Sequence, residues 1–292
     1  MTIVRTVEAA RTWAADRRRS GARLALVPTM GALHAGHLAH VQAARQRADA
    51  VALSVFVNPT QFGPGEDLER YPRDLDRDGA LSAAAGVDLL FAPSPRDMYP
   101  GGQTGVAVDV GAVGTVLEGK HRPTHFRGVA TVVCKLLAVF VPDIATFGQK
   151  DAQQVVVVRH VVREMLLPVE IVCIPTVRDP DGLALSSRNA YLTAEQRRAA
   201  PVLRRALLEA EAMVRAGERR GAAVEEVLRA VLSSERLAQT DYALAVSAED
   251  LRPAVVLQGR ILLVAAARFG ATRLLDNTCL DVGPDGVSAA LP

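Results

Sequence analysis

The chain has 292 residues, of which 49% are hydrophobic and 23% charged, and its 34 basic and 32 acidic side chains leave a formal net charge of +2. That length and apolar content suit one large or two moderate domains with a substantial core and exclude disorder as the expected state. A charge so near balance supplies no global field for nucleic acid or a membrane surface.

Cys134, Cys173 and Cys279 are widely spaced and form neither a disulfide framework nor a CxxC pair. Residues 1–10 lack the apolar run of a secretory signal, and later apolar segments are broken by charge, Gly or Pro before they could span a bilayer. A soluble, cytoplasmic protein is therefore expected. Arg17-Arg18-Arg19 reads as a solvated helix end, because no aromatic residues interleave it as nucleic-acid binding would favour.

Residues 24–27 and 51–57 are apolar runs of buried-strand type, and between them Leu38, Val41 and Ala44 recur near a helical period. This is a βαβ beginning. A helix is predicted over 73–85 after Pro72, and a third strand over 87–91 before Pro93. Further alternation over 130–140, 144–147, 151–164 and 169–173 predicts an α/β fold with an open, Rossmann-like parallel sheet, whose ligands gather at strand carboxyl ends. Pro175, Pro180 and Gly182 then interrupt regular structure, so domains are expected at 1–175 and 176–292. The second should be a smaller α+β domain, with a helix over 193–216, another over 222–232, and strands over 242–246, 255–257, 261–267 and 272–275.

The segment most suggestive of chemistry is Pro28-Thr29-Met30-Gly31-Ala32-Leu33-His34-Ala35-Gly36-His37, where a strand passes into a helix. Its glycines permit close backbone approach, amides at the helix start face an anion, and His34 and His37 can donate hydrogen bonds to phosphate oxygens. Alone, the two histidines read equally well as unrelated polar groups or half of a metal site. The surrounding strand and glycines move the reading toward nucleotide phosphate.

Asn58-Pro59-Thr60-Gln61-Phe62 follows the 51–57 strand, so the amides of Asn58 and Gln61 reach the same sheet end and suit a small polar acid. The alternative is a Pro-containing turn that caps local backbone. In Phe147-Gly148-Gln149-Lys150-Asp151-Ala152-Gln153-Gln154, Lys150 offers charge to a triphosphate, Asp151 can orient a donor, and Gln154 lies four residues on. A surface Lys-Asp pair would explain no chemistry. Ser186-Ser187-Arg188-Asn189 adds two hydroxyls and a guanidinium suited to phosphate, with Ser187 alternatively an N-cap. No HExxH zinc motif is present, and scattered Ser, His and Asp specify no catalytic triad. Asp74, Asp76 and Asp78 read either as a solvated acidic face or as carboxylates near Mg²⁺.

Taken together and in order, these segments resemble the pantothenate synthetase, or pantoate-β-alanine ligase, family from the first strand region through most of the second domain. Met30, His34 and His37 match its histidine motif, and Asn58 and Gln61 lie in its 56–62 segment. Gly119, His125 and Phe126 fit the region of Pro123-Thr124-His125-Phe126-Arg127-Gly128-Val129. Lys150, Asp151 and Gln154 match its nucleotide- and acid-binding segment, and Ser186, Ser187 and Arg188 its phosphate-contacting one.

The resemblance implies a nucleotidyltransferase-like Rossmann domain, a smaller domain covering the active-site cleft, and a homodimer. The reaction it implies is ATP-dependent condensation of (R)-pantoate with β-alanine through a pantoyl adenylate, releasing AMP and pyrophosphate. His34, His37, Lys150, Ser187 and Arg188 take catalytic roles in that scheme; Met30, Gly148, Asp151 and Ser186 join them around ATP. Asn58, Gln61 and Gln154 hold pantoate, and Asp78 serves the Mg²⁺ that accompanies ATP. Arg77 and Gln149 stand where the family commonly has acidic residues, and Ala152 where it commonly has an aromatic one, departures that bear on individual contacts more than on the reaction. The competing readings are a nucleotidyltransferase that retains its adenylylated product and a noncatalytic ATP-binding protein.

Overall fold

The structure, a computed structural model, describes residues 1–102 and 105–292. Two compact units emerge: Met1–Gly148 with Gln153–Ile174, and Gln149–Ala152 with Pro175–Pro292. The turn Gln149–Ala152 groups with the second unit, which resumes at Pro175.

In the first unit, β1 (Thr2–Val4) and α1 (Val7–Arg19) lead into β2 (Leu24–Thr29), α2 (Ala35–Arg45), β3 (Ala50–Val55), α3 (Leu75–Ala84) and β4 (Leu89–Phe91). The short helices α4 (Pro95–Met98) and α5 (Glu118–His121) follow, then α6 (His125–Phe140), β5 (Ile144–Gly148), α7 (Ala152–Glu164) and β6 (Glu170–Ile174). Among the described residues the strands form one sheet in the order β1-β4-β3-β2-β5-β6, with every pair parallel. Leu24, Leu26, Val51 and Leu53 are wholly buried, as strands covered on both faces require. The winding reverses between β2 and β5, so the carboxyl ends of these strands flank the switch point where such sheets bind ligands. The arginine cluster does close α1, where cations oppose the helix dipole, and Arg18 also donates to the Phe140 carbonyl.

The second unit contains α8 (Ala194–Ala199), α9 (Val202–Arg215) and α10 (Gly221–Ser233), followed by β7 (Gln239–Ser247), β8 (Gly259–Phe269), β9 (Thr272–Gly283) and β10 (Gly286–Ala289). The strands make an antiparallel meander, β10-β9-β8-β7. Leu203, Leu207 and Val214 of α9, Val224 and Leu228 of α10, and Leu263 and Ala265 of β8 share its core. The Rossmann-like sheet and the α+β second domain are thus both present. Two local expectations fail. The helix expected over 193–216 is divided at Pro201, which has no N–H to continue the ladder. Residues 255–257 form no strand: Val255 and Val256 are 79% and 62% exposed, without the packed neighbours on which β-propensity depends. Among the described residues no helix is long and apolar enough to cross a membrane.

Candidate active site

The loop after β2 is built by its own amides. Thr29 donates its hydroxyl hydrogen to the Ser54 carbonyl at 2.7 Å and accepts the Gly31 N–H at 3.1 Å. Gly31 and Ala32 both have positive φ, +85° and +52°. A Cβ at Gly31 would lie 2.8 Å from Asp78 Oδ2 and 2.9 Å from Val55 Cγ1, so glycine is required on both conformational and steric grounds. Asp78, in the first turn of α3 and 1% exposed, accepts the Ala32 N–H through Oδ2 at 2.9 Å and the Leu33 N–H through Oδ1 at 2.8 Å. Asp74 is also locally engaged, accepting the Arg77 N–H as the N-cap of α3.

With each of its carboxylate oxygens accepting a backbone amide, Asp78 anchors the histidine loop, while each oxygen keeps a further lone pair. Asp78→Ala should therefore act through stability, since each buried N–H left without its acceptor costs about 1–3 kcal/mol. We expect a lowered thermal midpoint; a native midpoint would remove the anchoring role.

His34 is the N-cap of α2. Its Nδ1 accepts the Gly36 N–H at 3.1 Å, while His37 Nδ1 accepts the His34 N–H at 3.3 Å, a reciprocal capping box made of imidazoles. The ring centroids are 4.1 Å apart. An Nδ1 that accepts leaves the hydrogen of a neutral ring on Nε2. The capping arrangement thus sets the same tautomer on both rings and makes each Nε2 a donor.

Beyond β3, Asn58 is 1% exposed and its side chain faces inward. Its Nδ2 donates to Gln61 Oε1 at 3.1 Å and to the Gly128 carbonyl at 3.2 Å, and its Oδ1 accepts from the Tyr99 hydroxyl at 2.8 Å and the Thr60 hydroxyl at 3.0 Å. Both amide hydrogens of Asn58 are thus committed within the fold, and one of them holds Gln61. Gln61 Nε2 donates to Met30 Sδ at 3.0 Å, which brings together two of the expected residues. The start of α6 seats against this turn, where a Cβ at Gly128 would strike the backbone of Thr60 and Gln61.

His125 completes the support. Its Nδ1 lies 3.0 Å from the Gln61 carbonyl, which only accepts, and its Nε2 lies 3.2 Å from Arg122 Nη1, which only donates. The neutral ring with its hydrogen on Nδ1 satisfies both. Burial above all, and the Arg122 charge next, push its pKa down to about 4. Glu66, which pairs with Arg122, is held below the usual carboxylate range: burial acts to raise it, but the Arg122 hydrogen bond and charge outweigh that.

For His125 the unfolded value is near 6.5, so between that pH and about 4 the unfolded chain binds a proton that the native state refuses. Its contribution is present above pH 6.5 and is lost as pH falls through this window, a span of about 3 kcal/mol. His125→Asn, whose amide can still donate to the Gln61 carbonyl, should flatten the fall of thermal midpoint between about pH 6.5 and pH 4. Parallel curves for the two proteins would contradict this.

Gln154 lies partly buried in the first turn of α7. Its neighbour Gln153, to which the sequence pointed no role, is buried and ties down the loop before α5: it accepts the Glu118 N–H at 2.9 Å and donates to the Val113 and Val116 carbonyls at 2.9 and 2.8 Å. Gly148 ends β5, where a Cβ would lie 3.2 Å from His40 Nε2.

The remaining expected residues belong to the second unit. Lys150 stands in one turn of 3-10 helix, Gln149–Asp151, with Nζ 3.4 Å from Asp151 Oδ1. Such a long contact, with the carboxylate half-exposed, ties up little of the ammonium's charge. Ser186, rather than Ser187, is the N-cap of the 3-10 turn Ser187–Tyr191, its hydroxyl accepting the Arg188 N–H at 3.2 Å. Ser187 and Arg188 are both partly buried. Among the described residues no group of three or more His, Cys, Asp or Glu is arranged to hold a metal ion.

A family model described as pantoate-beta-alanine ligase matches residues 2–279. The pantothenate synthetase of Moorella thermoacetica is 50% identical over 282 residues, covering 97% of this chain and 99% of the relative. That of Chloroflexus aggregans is 54% identical over 281 residues, covering 96% of this chain and all of the relative. Among solved structures, pantothenate synthetase from Thermus thermophilus superposes with a TM-score of 0.90 at 47% identity, over 95% of this chain and 98% of that one. The Francisella tularensis pantoate-beta-alanine ligase, complexed with beta-gamma ATP and beta-alanine, gives 0.75 at 32% identity, over 95% and 97%.

Proposed function

Since the chain belongs to the pantoate-β-alanine ligase family, it joins (R)-pantoate to β-alanine through a pantoyl adenylate, and we propose how its residues divide that work. In the first step the pantoate carboxylate attacks the α-phosphorus of ATP and pyrophosphate leaves. Negative charge grows on phosphoryl oxygens, and the groups suited to meet it are the Nε2–H donors of His34 and His37, the Lys150 ammonium, the Arg188 guanidinium and the Ser187 hydroxyl. Met30, Gly148, Asp151 and Ser186 complete the ATP contacts. In the second step the β-alanine amine attacks the acyl carbonyl, loses a proton and forms the amide as AMP departs.

The observation that carries this mechanism is the imidazole capping box, because it presets two hydrogen-bond donors before any ligand arrives. Gln61 supports it: a thioether is a weak acceptor, so its amide exchanges Met30 Sδ for a pantoate oxygen at small loss, with Gln154 as the second pantoate group. Asn58 acts through Gln61. Mg²⁺, on this reading, accompanies the triphosphate, with Asp78 the carboxylate that would serve it. No side-chain nucleophile is called on, and burial raises the thiol pKa of Cys134 and pushes that of Cys173 up to about 11, which suits inert structural residues. We further propose a cytoplasmic homodimer.

The test is product identification by mass spectrometry after incubation with Mg-ATP and (R)-pantoate, with and without β-alanine. Pantoyl adenylate should accumulate without the amine, and AMP and pantothenate should form when it is added. Adenylate that never proceeds to the amide would favour a product-retaining nucleotidyltransferase, and ATP binding without either product a noncatalytic protein.

A further inference from the structure

The turn that bears Lys150 is held by a residue 127 positions further along the chain. Asn277, on β9, directs both hydrogens of its side-chain amide at that turn: Nδ2 donates to the Gln149 carbonyl at 2.9 Å and to the Lys150 carbonyl at 3.0 Å. These carbonyls belong to the peptide planes on either side of the Lys150 Cα. With peptides planar, pinning both fixes φ and ψ of Lys150 and so the direction in which its side chain leaves the backbone.

Asn277 is itself braced. Its N–H donates to Asp276 Oδ1 at 2.8 Å, and Asp276 receives a bidentate pair from Arg178, Nη1 to Oδ2 at 2.6 Å and Nη2 to Oδ1 at 2.9 Å. Asp276 and Asn277 are each 3% exposed, and Asn277 lies opposite Val264 in the antiparallel ladder, so it has no room to drift. Its Oδ1 is buried without a hydrogen-bond partner. Buried amides ordinarily satisfy both ends, and a fold that leaves the oxygen unmatched retains this asparagine for its two N–H groups.

We propose that Asn277 is a positioning residue for adenylation, setting where Lys150 presents its ammonium, with Asp276 and Arg178 as its brace. The inference rests on the reading of Lys150 as a phosphate-neutralising group. Losing the clamp leaves the charge present but misplaced, and a misplacement of about 1 Å is enough to cost roughly 100-fold in a transition-state contact.

A double-mutant cycle on single-turnover pantoyl adenylate formation, at saturating ATP and pantoate without β-alanine, tests it. Asn277→Ala should slow the step at least about 10-fold when Lys150 is present and less than about 2-fold in the Lys150→Ala background, because the two residues act as a unit. Equal penalties in both backgrounds would overturn the proposal, leaving Asn277 a structural residue. Lys150→Ala at native speed would instead sink the reading of Lys150, and the inference with it. Asn277→Ser keeps one hydroxyl donor, should fall between the native protein and Asn277→Ala, and carries the same cycle if the alanine variant does not fold.

Discussion

Lys150→Ala is expected to slow pantoyl adenylate formation by about 100- to 1,000-fold, the usual loss when a preorganised charge facing a developing oxyanion is removed. Stability should hardly change. The ammonium's ion pair is the 3.4 Å contact to Asp151, and an exposed pair of that kind contributes about 0–1 kcal/mol. The separation of the two effects makes the variant informative, since an unchanged thermal midpoint with a collapsed first half-reaction assigns the residue to chemistry. Lys150→Arg retains charge but spreads it over a planar fork, so partial activity is expected. Near-native adenylation by the folded alanine variant would rule out a major role in the transition state.

The second large effect concerns the imidazole pair, where capping and catalysis use different nitrogens. In His37→Asn the amide oxygen falls near the place of Nδ1 and can still accept the His34 N–H, but nothing replaces Nε2–H. The helix should therefore survive while adenylate formation drops about 100-fold. His37→Gln carries an amide donor closer to the Nε2 position and should recover part of the rate with a weakened cap. His34→Asn should behave as His37→Asn does, asparagine being among the best N-caps. Native turnover in His37→Asn would return the pair to a purely structural role.

Much of this protein is legible in its sequence. Apolar runs at 24–27 and 144–147 mark β2 and β5, because central parallel strands must be apolar on both faces. The glycines around His34 and His37 mark a strand-to-helix turn, because positive φ at Gly31 and close approach to Asp78 and Val55 exclude a Cβ. Those signals are local, and local sequence carries them. The break at Pro201 was local too, but the Ala, Leu and Arg periodicity around it reads through the missing N–H.

Side-chain direction was a different matter. Asp74, Asp76 and Asp78 look alike in sequence, yet only Asp78 meets the Ala32 and Leu33 amides, because packing selects which face of α3 turns inward. Asn58 and Gln61 share a five-residue segment, but Tyr99 and Gly128 draw the first into the fold and leave the second to contact Met30. The tautomer of His125 likewise depends on the Gln61 carbonyl, which a distant segment brings to Nδ1, together with Arg122, three residues away, at Nε2.

By itself, then, the sequence determined the alternation of strands and helices, the sheet end at which polar groups collect and the kinds of side chain available for phosphate chemistry, all properties of short windows. Only the tertiary structure decided which carboxylate anchors a loop, which nitrogen of His125 is a donor, and that a strand near the carboxyl terminus holds the turn of Lys150. Those depend on buried hydrogen bonds between residues far apart in the chain, where each donor must find an acceptor and the packed fold determines which one it is.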